Sequence, residues 1–353
     1  MGQRIAIIGT GAVGGYAGAH MAQAGEDVIF IDMWPENVAA MRSNGLRISH
    51  LRDIPEFNVP VRALHLTELQ GLSKERPIDI AFVCVKSYDT AWATMLVQQY
   101  LAPGGFVVSL QNCMNEATIA AVVGWGRTLG AIASSITVDL CEPGHVRRAA
   151  GKSGAAHTVF RVGEVHGRTT DRARAVARLV ALSDSTRITA NLWGERWTKL
   201  VTNAMANGLS ACTGLISRDL LTNDVLRHFT ARLGSEAIRI GQALGYELEE
   251  VHHIDPETIA RAGEGDPEAR RVYDEHRLAE AAKGGAAHRP SMGQDMVKGR
   301  RTEIDFLNGY IVERGQEIGL DAPANAALTD IVRRVERGEL QPDPSHILDL
   351  RLN

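Results

Sequence analysis

Three polar residues recur at helical spacing within an otherwise apolar stretch, and their types suit proton transfer. Lys199, Asn203 and Asn207 stand four residues apart in "WTKLVTNAMANG" (197–208). At 3.6 residues per turn, this spacing places all three on one face of a helix. A lysine can donate a proton and asparagine amides can orient a substrate, so the stripe suits a carbonyl reduction. Desolvation or a second cation would have to lower the lysine pKa from about 10.4 for proton donation at neutral pH.

The same stripe has a purely structural interpretation. A lysine can extend its ammonium to solvent while its methylenes pack, and asparagines can cap neighbouring backbone groups. The spacing alone does not separate the two interpretations. In either case the rest of the helix is predicted to be buried, because its other residues include Leu200, Val201, Ala204, Met205 and Ala206.

A second constellation, near the start of the chain, is typical of a dinucleotide-binding loop. The segment "GTGAVGG" follows the apolar run "RIAIIG" and opens a helical pattern, with G-x-G-x-x-G at Gly9, Gly11 and Gly14. Such glycines permit a tight turn, close approach of a pyrophosphate to the backbone, and close packing of helix on strand. The helix N-terminus then faces the phosphate charge. We expect the cofactor loop to comprise Gly9, Thr10, Gly11, Ala12, Val13 and Gly14.

An acid at the end of the second strand predicts which nicotinamide cofactor binds. Asp32 closes the run "DVIFID" and lies 18 residues beyond Gly14, close to the spacing of a ribose-binding carboxylate. A carboxylate accepts hydrogen bonds from the ribose 2′-OH and repels a 2′-phosphate. No lysine or arginine occurs from Ile31 through Met41 to offset that repulsion. NAD(H) is therefore favoured, and NADP(H) stays possible.

The elements that must position these residues change character near residue 190. Before it, the apolar runs "RIAIIG", "DVIFID", "DIAFVCV" and "GFVVSL" alternate with helix candidates at 12–24, 35–44 and 89–100, and strand-like runs follow over 128–165. This alternation predicts a doubly wound, mainly parallel α/β sheet of the Rossmann type. Afterwards helical patterns dominate, at 191–211, 223–244, 266–283, 302–318 and 324–338. We predict an NAD-binding domain over 1–190 and an all-α substrate and catalytic domain over 191–353.

Composition narrows the possible partners. A net charge of −4 and a pI of about 6.3 give no support for a nucleic-acid or membrane-surface partner. No apolar run reaches membrane-spanning length, and an apolar strand begins at Ile5 without a preceding signal peptide. His252 and His253 are adjacent, which does not suit one metal, so no metal site is expected. Isolated cysteines suggest a reduced compartment, which we take to be the cytoplasm: Cys84, Cys113, Cys141 and Cys212.

A further motif lies in the helical half, in "RPSMGQDMVKGRRTEIDFLNGYIVERGQEIGL". Thr302 could cap a helix in which the early acids Glu303 and Asp305 favour the N-terminus. Taken alone, Glu303 has the alternative interpretation of an ordinary first-turn acid, and simple helix packing explains much of the segment.

The chain resembles the ketopantoate reductase (2-dehydropantoate 2-reductase) family over nearly its whole length. The resemblance rests on "GTGAVGG", "VCVKSYD", "SLQNCMNE", "LWGERWTKLVTNAMANGLSA" and "SMGQDMVKGRRTEIDFLNG", in this order along the chain. It implies an N-terminal Rossmann domain, an all-helical C-terminal domain, and reduction of a 2-oxo acid to a 2-hydroxy acid with a nicotinamide cofactor.

The resemblance also implies roles for individual residues. Lys199 matches the family's general acid, and Asn203 and Asn207 match asparagines that line the substrate site. Glu303 matches the glutamate of "T-E-I-D", which contacts the reacting hydroxyl. Three more residues match positions near the cofactor or substrate: Ser291 for the substrate carboxylate, Lys86 for the cofactor, and Asn112 for both.

Three departures from the family pattern leave the substrate open. Cys113 replaces the glycine of "Q-N-G", Asp32 favours NADH where the family's usual cofactor is NADPH, and the segment from Tyr246 to Pro290 is long and charged. We expect that segment to shape substrate choice, with a surface insertion as the alternative. Competing functions are a dehydrogenase acting on another alcohol or hydroxy acid and a non-catalytic NAD(H)-binding redox sensor. The many apolar helical faces after residue 190 make a homodimer possible.

Overall fold

The computed structural model describes residues 2–51, 55–134, 136–149, 151, 158–282 and 289–351. The chain divides into two compact units, Met1–Leu192 and Trp193–Asn353. The first unit is α/β and the second is helical, so the predicted fold class is confirmed. Among the described residues, no helix combines the length and the apolar character needed to cross a membrane.

The first unit is built on an eight-stranded sheet with a smaller four-stranded sheet. The strands are β1 (Arg4–Ile8), β2 (Asp27–Asp32), β3 (Leu46–His50), β4 (Phe57–Val59), β5 (Arg62–His65), β6 (Ile78–Val83), β7 (Leu101–Ser109), β8 (Thr128–Ala133), β9 (Val138–Glu142), β10 (His145–Arg148), β11 (Phe160–Glu164) and β12 (Thr186–Thr189). The large sheet has the order β12-β11-β8-β7-β6-β1-β2-β5, and the small sheet has the order β4-β3-β10-β9. In the large sheet all pairs are parallel except β8 with β11.

Helices cover the large sheet. They are α1 (Ala12–Gln23), α2 (Pro35–Asn44), α3 (Thr90–Gln98), α4 (Glu116–Val123) and α5 (Asp171–Ala181), with 3₁₀ helices at Leu66–Lys74, Ser87–Asp89 and Trp125–Arg127. The near-continuous apolar run of β1 follows from burial on both faces: Ile5 and Ile7 belong to one core cluster, whereas Ala6 and Ile8 belong to the other. The helix candidates 12–24, 35–44 and 89–100 are confirmed to within a few residues.

The small sheet was not predicted, and the strand-like run "TLGAIASSITVDL" within 128–165 contributes strands to both sheets. Its first part forms β8 in the large sheet, and its last part forms β9 in the small sheet. Ser135, between them, lies outside the described residues. The strands β3, β4 and β10 read "RISH", "FNV" and "HVRR" in part, which are short and polar and so give a weak strand pattern.

The second unit is helical throughout its regular elements. These are α6 (Leu192–Ala204), α7 (Asn207–Thr213), α8 (Ser217–Thr222), α9 (Asp224–Ala243), α10 (Pro256–Glu264), α11 (Pro267–Ala282), α12 (Ser291–Val297), α13 (Asn308–Glu317), α14 (Pro323–Glu336) and α15 (Ser345–Leu348), with a 3₁₀ helix at Ile304–Phe306. The predicted single helix over 191–211 is two helices, and the predicted helix over 302–318 begins only at Asn308. The short helices α8, α10, α12 and α15 were not predicted.

Candidate active site

The predicted cofactor residues of the first unit gather at one edge of the large sheet. Strands β1, β2, β6 and β7 are parallel, so their carboxyl ends share that edge, and backbone hydrogen bonds continue past the strand ends. The N–H of Cys84 donates to Ile8 O over 2.8 Å, and the N–H of Leu110 donates to Val83 O over 3.0 Å. In the sheet, β1 lies between β2 and β6, and the chain builds outward from it in both directions. The carboxyl end of β1 is therefore the point where the strand order reverses, and α/β sheets typically bind ligands there.

Two of the three glycines in the loop after β1 are required by packing. Gly9 has φ +91°, and a Cβ there would lie 2.8 Å from Val85. A Cβ on Gly14 would lie 2.3 Å from the carbonyl oxygen of Gly9 and 2.7 Å from Cys84 Cβ. These two positions therefore hold the loop and α1 against the strands.

Gly11 differs, because a Cβ there would meet no heavy atom within 4 Å. Its φ of −76° suits any residue, so neither packing nor backbone conformation requires glycine at this N-cap of α1. An open backbone at a helix N-terminus fits a pyrophosphate, whose close approach a side chain would block. The loop therefore fits the predicted dinucleotide.

Asp32 is held rigidly at the end of β2 and retains one accepting position. Its Oδ2 accepts hydrogen bonds from the Thr10 N–H at 2.7 Å and from Asn37 Nδ2 at 3.2 Å, and its Oδ1 accepts from the Trp34 N–H at 2.9 Å. Each carboxylate oxygen can accept two hydrogen bonds, so Oδ1 keeps one position unused by the described residues. That position can accept one further hydrogen bond. The nearest downstream arginine, Arg42, is engaged with Ala63 O and Glu68.

Lys86 and Asn112 follow β6 and β7, and both are half-buried. Their loops are tied together by Asn115, whose Nδ2 donates to Asn112 O at 2.7 Å and to Ser87 Oγ at 3.2 Å. Gln111 adds a second tie, because its Nε2 donates to Val85 O at 2.8 Å. Both amides lie within the motif "SLQNCMNE", but the sequence predicts no role for Gln111 or Asn115.

Cysteine chemistry at this edge is disfavoured. Cys113 is buried, with φ +64°, a left-handed conformation that favours the glycine expected from the resemblance. Burial raises the pKa of the Cys84 thiol and raises that of Cys212, in the helical unit, to about 12. Neither of these two thiols is poised as a nucleophile. Among the described residues, no cluster of three or more histidine, cysteine, aspartate or glutamate side chains could hold a metal ion.

In the helical unit, α6 presents Lys199 and Asn203 on a half-buried face. The opposite face is anchored by Trp197, which is fully buried and donates from Nε1 to Ala237 O over 2.9 Å. Gly241 on α9 makes room for the indole, because a Cβ there would lie 2.3 Å from Trp197 Nε1. This anchor fixes the rotation of α6 and hence the direction of its polar face.

The predicted single-helix stripe is corrected at its third member. Helix α6 ends at Ala204, and α7 starts at Asn207 after a turn in which Ala206 has φ −128° and ψ −39°. Asn207 is therefore not one helical turn beyond Asn203 on the same helix. The turn instead brings Asn207 Nδ2 to Ser291 Oγ at 3.4 Å, at the first residue of α12, so two predicted substrate residues meet.

Glu303 lies at a helix start, although not in the predicted way. Thr302 Oγ1 accepts a hydrogen bond from the Ile304 N–H over 3.4 Å, so the predicted capping contact is present, but it serves a short 3₁₀ helix that begins after Glu303. The Thr302 N–H and Oγ1 also donate to the Glu336 carboxylate at 2.9 and 3.1 Å. Glu303 is the N-cap of the 3₁₀ helix Ile304–Phe306, and its carbonyl oxygen accepts from the Phe306 N–H at 2.9 Å. The residue is 5% exposed, whereas an ordinary first-turn acid is solvated.

The segment after Tyr246 packs against Trp197 and Thr198 of α6 and contributes to the unit's core. The Tyr246 ring lies 5.0 Å from that of Trp197, and the Glu249 N–H donates to Thr198 Oγ1 over 2.9 Å. Further along, α10 buries Ile259 and α11 buries Tyr273 completely. Helices α10 and α11 therefore each bury one face against the unit. The role in substrate choice and the alternative of a surface insertion both stay predictions. Residues 283–288 of the segment lie outside the described residues.

Two family models match the chain in succession. The one described as "Ketopantoate reductase PanE/ApbA" matches residues 5–158, and the one described as "Ketopantoate reductase PanE/ApbA C terminal" matches residues 191–336. The first match covers most of the α/β unit, and the second covers most of the helical unit.

Individual relatives and solved structures indicate the same family. A 2-dehydropantoate 2-reductase from Archaeoglobus fulgidus is 31% identical over 344 residues, which cover 95% of this chain and 99% of that protein. The crystal structure of a PanE/ApbA family ketopantoate reductase from Ralstonia eutropha JMP134 has a TM-score of 0.76 at 28% identity, covering 96% and 99% of the two chains. A ternary structure of D-mandelate dehydrogenase with NADH and anilino(oxo)acetate has a TM-score of 0.77 at 23% identity, covering 95% and 99%, a likeness of fold. The chain therefore belongs to the ketopantoate reductase family.

Proposed function

We propose that the chain is an NAD(H)-dependent oxidoreductase that reduces the carbonyl of a small 2-oxo acid to a hydroxyl group. Family membership supports the coarser statement, an oxidoreductase acting on CH–OH groups that resembles 2-dehydropantoate 2-reductase. The observation that carries the proposal is the loop after β1, in which packing requires glycine at Gly9 and Gly14 but leaves the backbone open at Gly11. This is what a bound dinucleotide needs.

Proton delivery is assigned to Lys199. When bound, the nicotinamide supplies a hydride to the carbonyl carbon. Lys199 would hydrogen-bond the carbonyl oxygen and transfer a proton to it, leaving a neutral amine that regains its proton from solvent. Lys199 is half-buried on the same face of α6 as Asn203.

Glu303 and three polar residues are assigned to the substrate. Glu303 would hold the reacting oxygen, and its burial favours this role over that of a solvated first-turn acid. Asn203, Asn207 and Ser291 would orient the substrate. Because Asn207 Nδ2 donates to Ser291 Oγ, the serine hydroxyl keeps its own hydrogen to donate to a substrate carboxylate.

Cofactor choice is assigned to Asp32. The remaining acceptor position on Oδ1 suits a ribose 2′-OH, and a 2′-phosphate would meet a carboxylate that three donors hold in place. Lys86 and Asn112 are assigned to cofactor binding, and Asn112 to the substrate as well.

The same Asp32 geometry favours a second candidate, an NAD-dependent dehydrogenase of another hydroxy acid or alcohol. NAD is the more oxidised cofactor pool in cells, so a preference for it suits oxidation. A non-catalytic NAD(H) sensor is a third possibility, which requires binding without turnover. A homodimer and a cytoplasmic location stay predictions, and light scattering tests the first.

One panel of assays separates these functions. Purified protein is given NADH or NADPH with a series of 2-oxo acids that includes 2-dehydropantoate, and NAD with the matching hydroxy acids. Turnover of a 2-oxo acid with NADH supports the proposal. Oxidation alone supports the dehydrogenase, and binding of NADH without turnover of any compound contradicts both enzymatic functions.

A further inference from the structure

A fully buried asparagine on α2 lies directly behind the cofactor carboxylate. Asn37 is the third residue of α2 and is 0% exposed. A buried side-chain amide is costly unless its hydrogen-bonding groups are satisfied. Its position in the first turn of a helix does not by itself require an amide, so its partners determine what it does.

The Asn37 amide joins three segments that are distant in sequence. Its Nδ2 donates to Thr10 O and to Asp32 Oδ2, each over 3.2 Å, and its Oδ1 accepts from the Gly144 N–H at 2.8 Å. These partners belong to the glycine loop, to the end of β2, and to the turn between β9 and β10. Gly144 is itself held on its other side, because its carbonyl oxygen accepts from the Arg47 N–H at 2.8 Å.

The partners also fix which way the amide points. In the opposite orientation, its carbonyl oxygen would face two oxygen acceptors, and its NH₂ would face the Gly144 N–H. All three contacts would become repulsive, so the network permits a single orientation. Asn37 therefore presents its donors to the cofactor side and its acceptor to the small sheet.

This orientation determines how Asp32 is presented. The carboxylate has three donors, and two of them, the Thr10 N–H and Asn37 Nδ2, converge on Oδ2. Two donors on Oδ2 and the Trp34 N–H on Oδ1 restrict rotation of the carboxylate and fix the direction of the unused acceptor position on Oδ1. Without Asn37, one donor would remain on each oxygen, and rotation of the carboxylate would be less restricted.

We propose that Asn37 is a positioning residue for cofactor selectivity: it aligns Asp32 so that the carboxylate binds the ribose 2′-OH of NADH and repels the 2′-phosphate of NADPH. The inference rests on the proposed function and extends it to a residue that does not touch the cofactor. Loss of Asn37 should weaken NADH binding and reduce discrimination against NADPH, while the hydride and proton transfer steps remain intact.

The test compares dissociation constants of NADH and NADPH, measured by calorimetry, for the wild type and Asn37→Ser. Serine is tolerated early in a helix and leaves room for a water that can satisfy Gly144 N–H. The ratio of the NADPH to the NADH dissociation constant should fall by about fivefold or more. The kcat at saturating NADH should stay within about twofold of wild type, because the reacting groups are unchanged.

A matched control separates positioning from general destabilisation. Asn325 is also fully buried, and its Nδ2 donates to Leu233 O at 3.2 Å and to Glu236 Oε2 at 2.8 Å, within the helical unit. Asn325→Ser should lower Tm and leave the ratio of dissociation constants at the wild-type value. An equal change of ratio in both variants would overturn the inference, because the effect would then follow stability.

A second variant guards against poor folding of the first. Asn37→Ala removes the amide without adding a charge near the 2′-phosphate, and alanine favours the helix. It should lower the ratio of dissociation constants about as much as Asn37→Ser. A wild-type ratio in either folded variant would overturn the role of Asn37 alone. Wild-type protein that binds neither dinucleotide would instead overturn the proposed function.

Discussion

The backbone N–H of Thr10 donates a hydrogen bond to the Asp32 carboxylate over 2.7 Å, and both residues are buried. This contact joins the glycine loop after β1 to the end of β2. The two sequence features that predicted a dinucleotide site therefore form one rigid structure. Asp32 contributes both to the conformation of the loop and to the chemistry of the proposed ribose contact.

The first prediction follows from this double role. Wild-type enzyme should use NADH at least about tenfold better than NADPH, because a like charge against a 2′-phosphate in a partly buried site costs more than about 1.4 kcal/mol. Asp32→Asn should remove most of that preference in kcat/KM, since an amide does not repel the phosphate. It should also lower the free energy of unfolding by about 1–3 kcal/mol, because the Thr10 N–H loses a charged acceptor.

The control for this variant is Asp171→Asn, in which a fully exposed acid of the same unit is neutralised. Its cofactor preference should equal that of the wild type. A wild-type enzyme that prefers NADPH would refute the ribose assignment of Asp32.

A second prediction separates the glycines of the loop. Gly11→Ala should change the free energy of unfolding by less than about 1 kcal/mol, because the new Cβ meets nothing within 4 Å. It should nevertheless raise the NADH dissociation constant at least about tenfold, because the methyl group occupies the path of the pyrophosphate. Thermal unfolding and calorimetric titration measure the two effects.

Gly14→Ala is the contrasting variant. Its Cβ would lie 2.3 Å from Gly9 O, so it should lose about 1–3 kcal/mol of stability or fail to fold. Unchanged NADH affinity in a stable Gly11→Ala protein would show that the pyrophosphate does not approach the backbone there.

A third prediction concerns the substrate carboxylate. Ser291→Ala removes the hydroxyl that contacts Asn207 and should raise KM for the 2-oxo acid about tenfold or more, with little change in NADH affinity. Ser345→Ala is a matched control, because Ser345 is likewise an exposed serine that follows a proline and begins a helix. Steady-state kinetics should find the control unchanged; a comparable rise in KM in both variants would remove Ser291 from the site.

The sequence indicated the fold well where elements are long and repetitive. The runs of β1, β2, β6 and β7 are apolar throughout because both sheet faces are covered, and the glycine loop follows from its local context. The break between α6 and α7 could not be predicted, because no proline stands there and the glycine, Gly208, follows the break. The break lies where the chain packs closely against α9, and the sequence does not display such tertiary contacts. Met205, between the two helices, is fully buried, and a Cβ on Gly234 of α9 would lie 2.8 Å from the Met205 Sδ.

The site residues likewise divide into those that a local motif predicts and those that depend on tertiary contacts. Lys199, Asp32 and the glycines stand in motifs whose spacing carries a mechanism. Asn37 has partners 5, 27 and 107 residues away, and no local pattern predicts contacts of that range. The burial of Glu303 was likewise invisible in sequence, because it depends on how the segment around Thr302 is held by Glu336.

The central claim is that Lys199 protonates the substrate oxygen, and one variant tests it most directly. Lys199→Ala is compared with Lys74→Ala, which removes an exposed lysine at the end of the 3₁₀ helix Leu66–Lys74. The measurement is kcat for reduction of the best 2-oxo acid at saturating NADH, with NADH affinity and Tm determined on the same samples. Lys199→Ala should lower kcat by about 10²–10⁴-fold, with NADH affinity and Tm close to wild type, while Lys74→Ala changes none of them. A folded Lys199→Ala protein that binds NADH and turns over at nearly the wild-type rate would contradict the account.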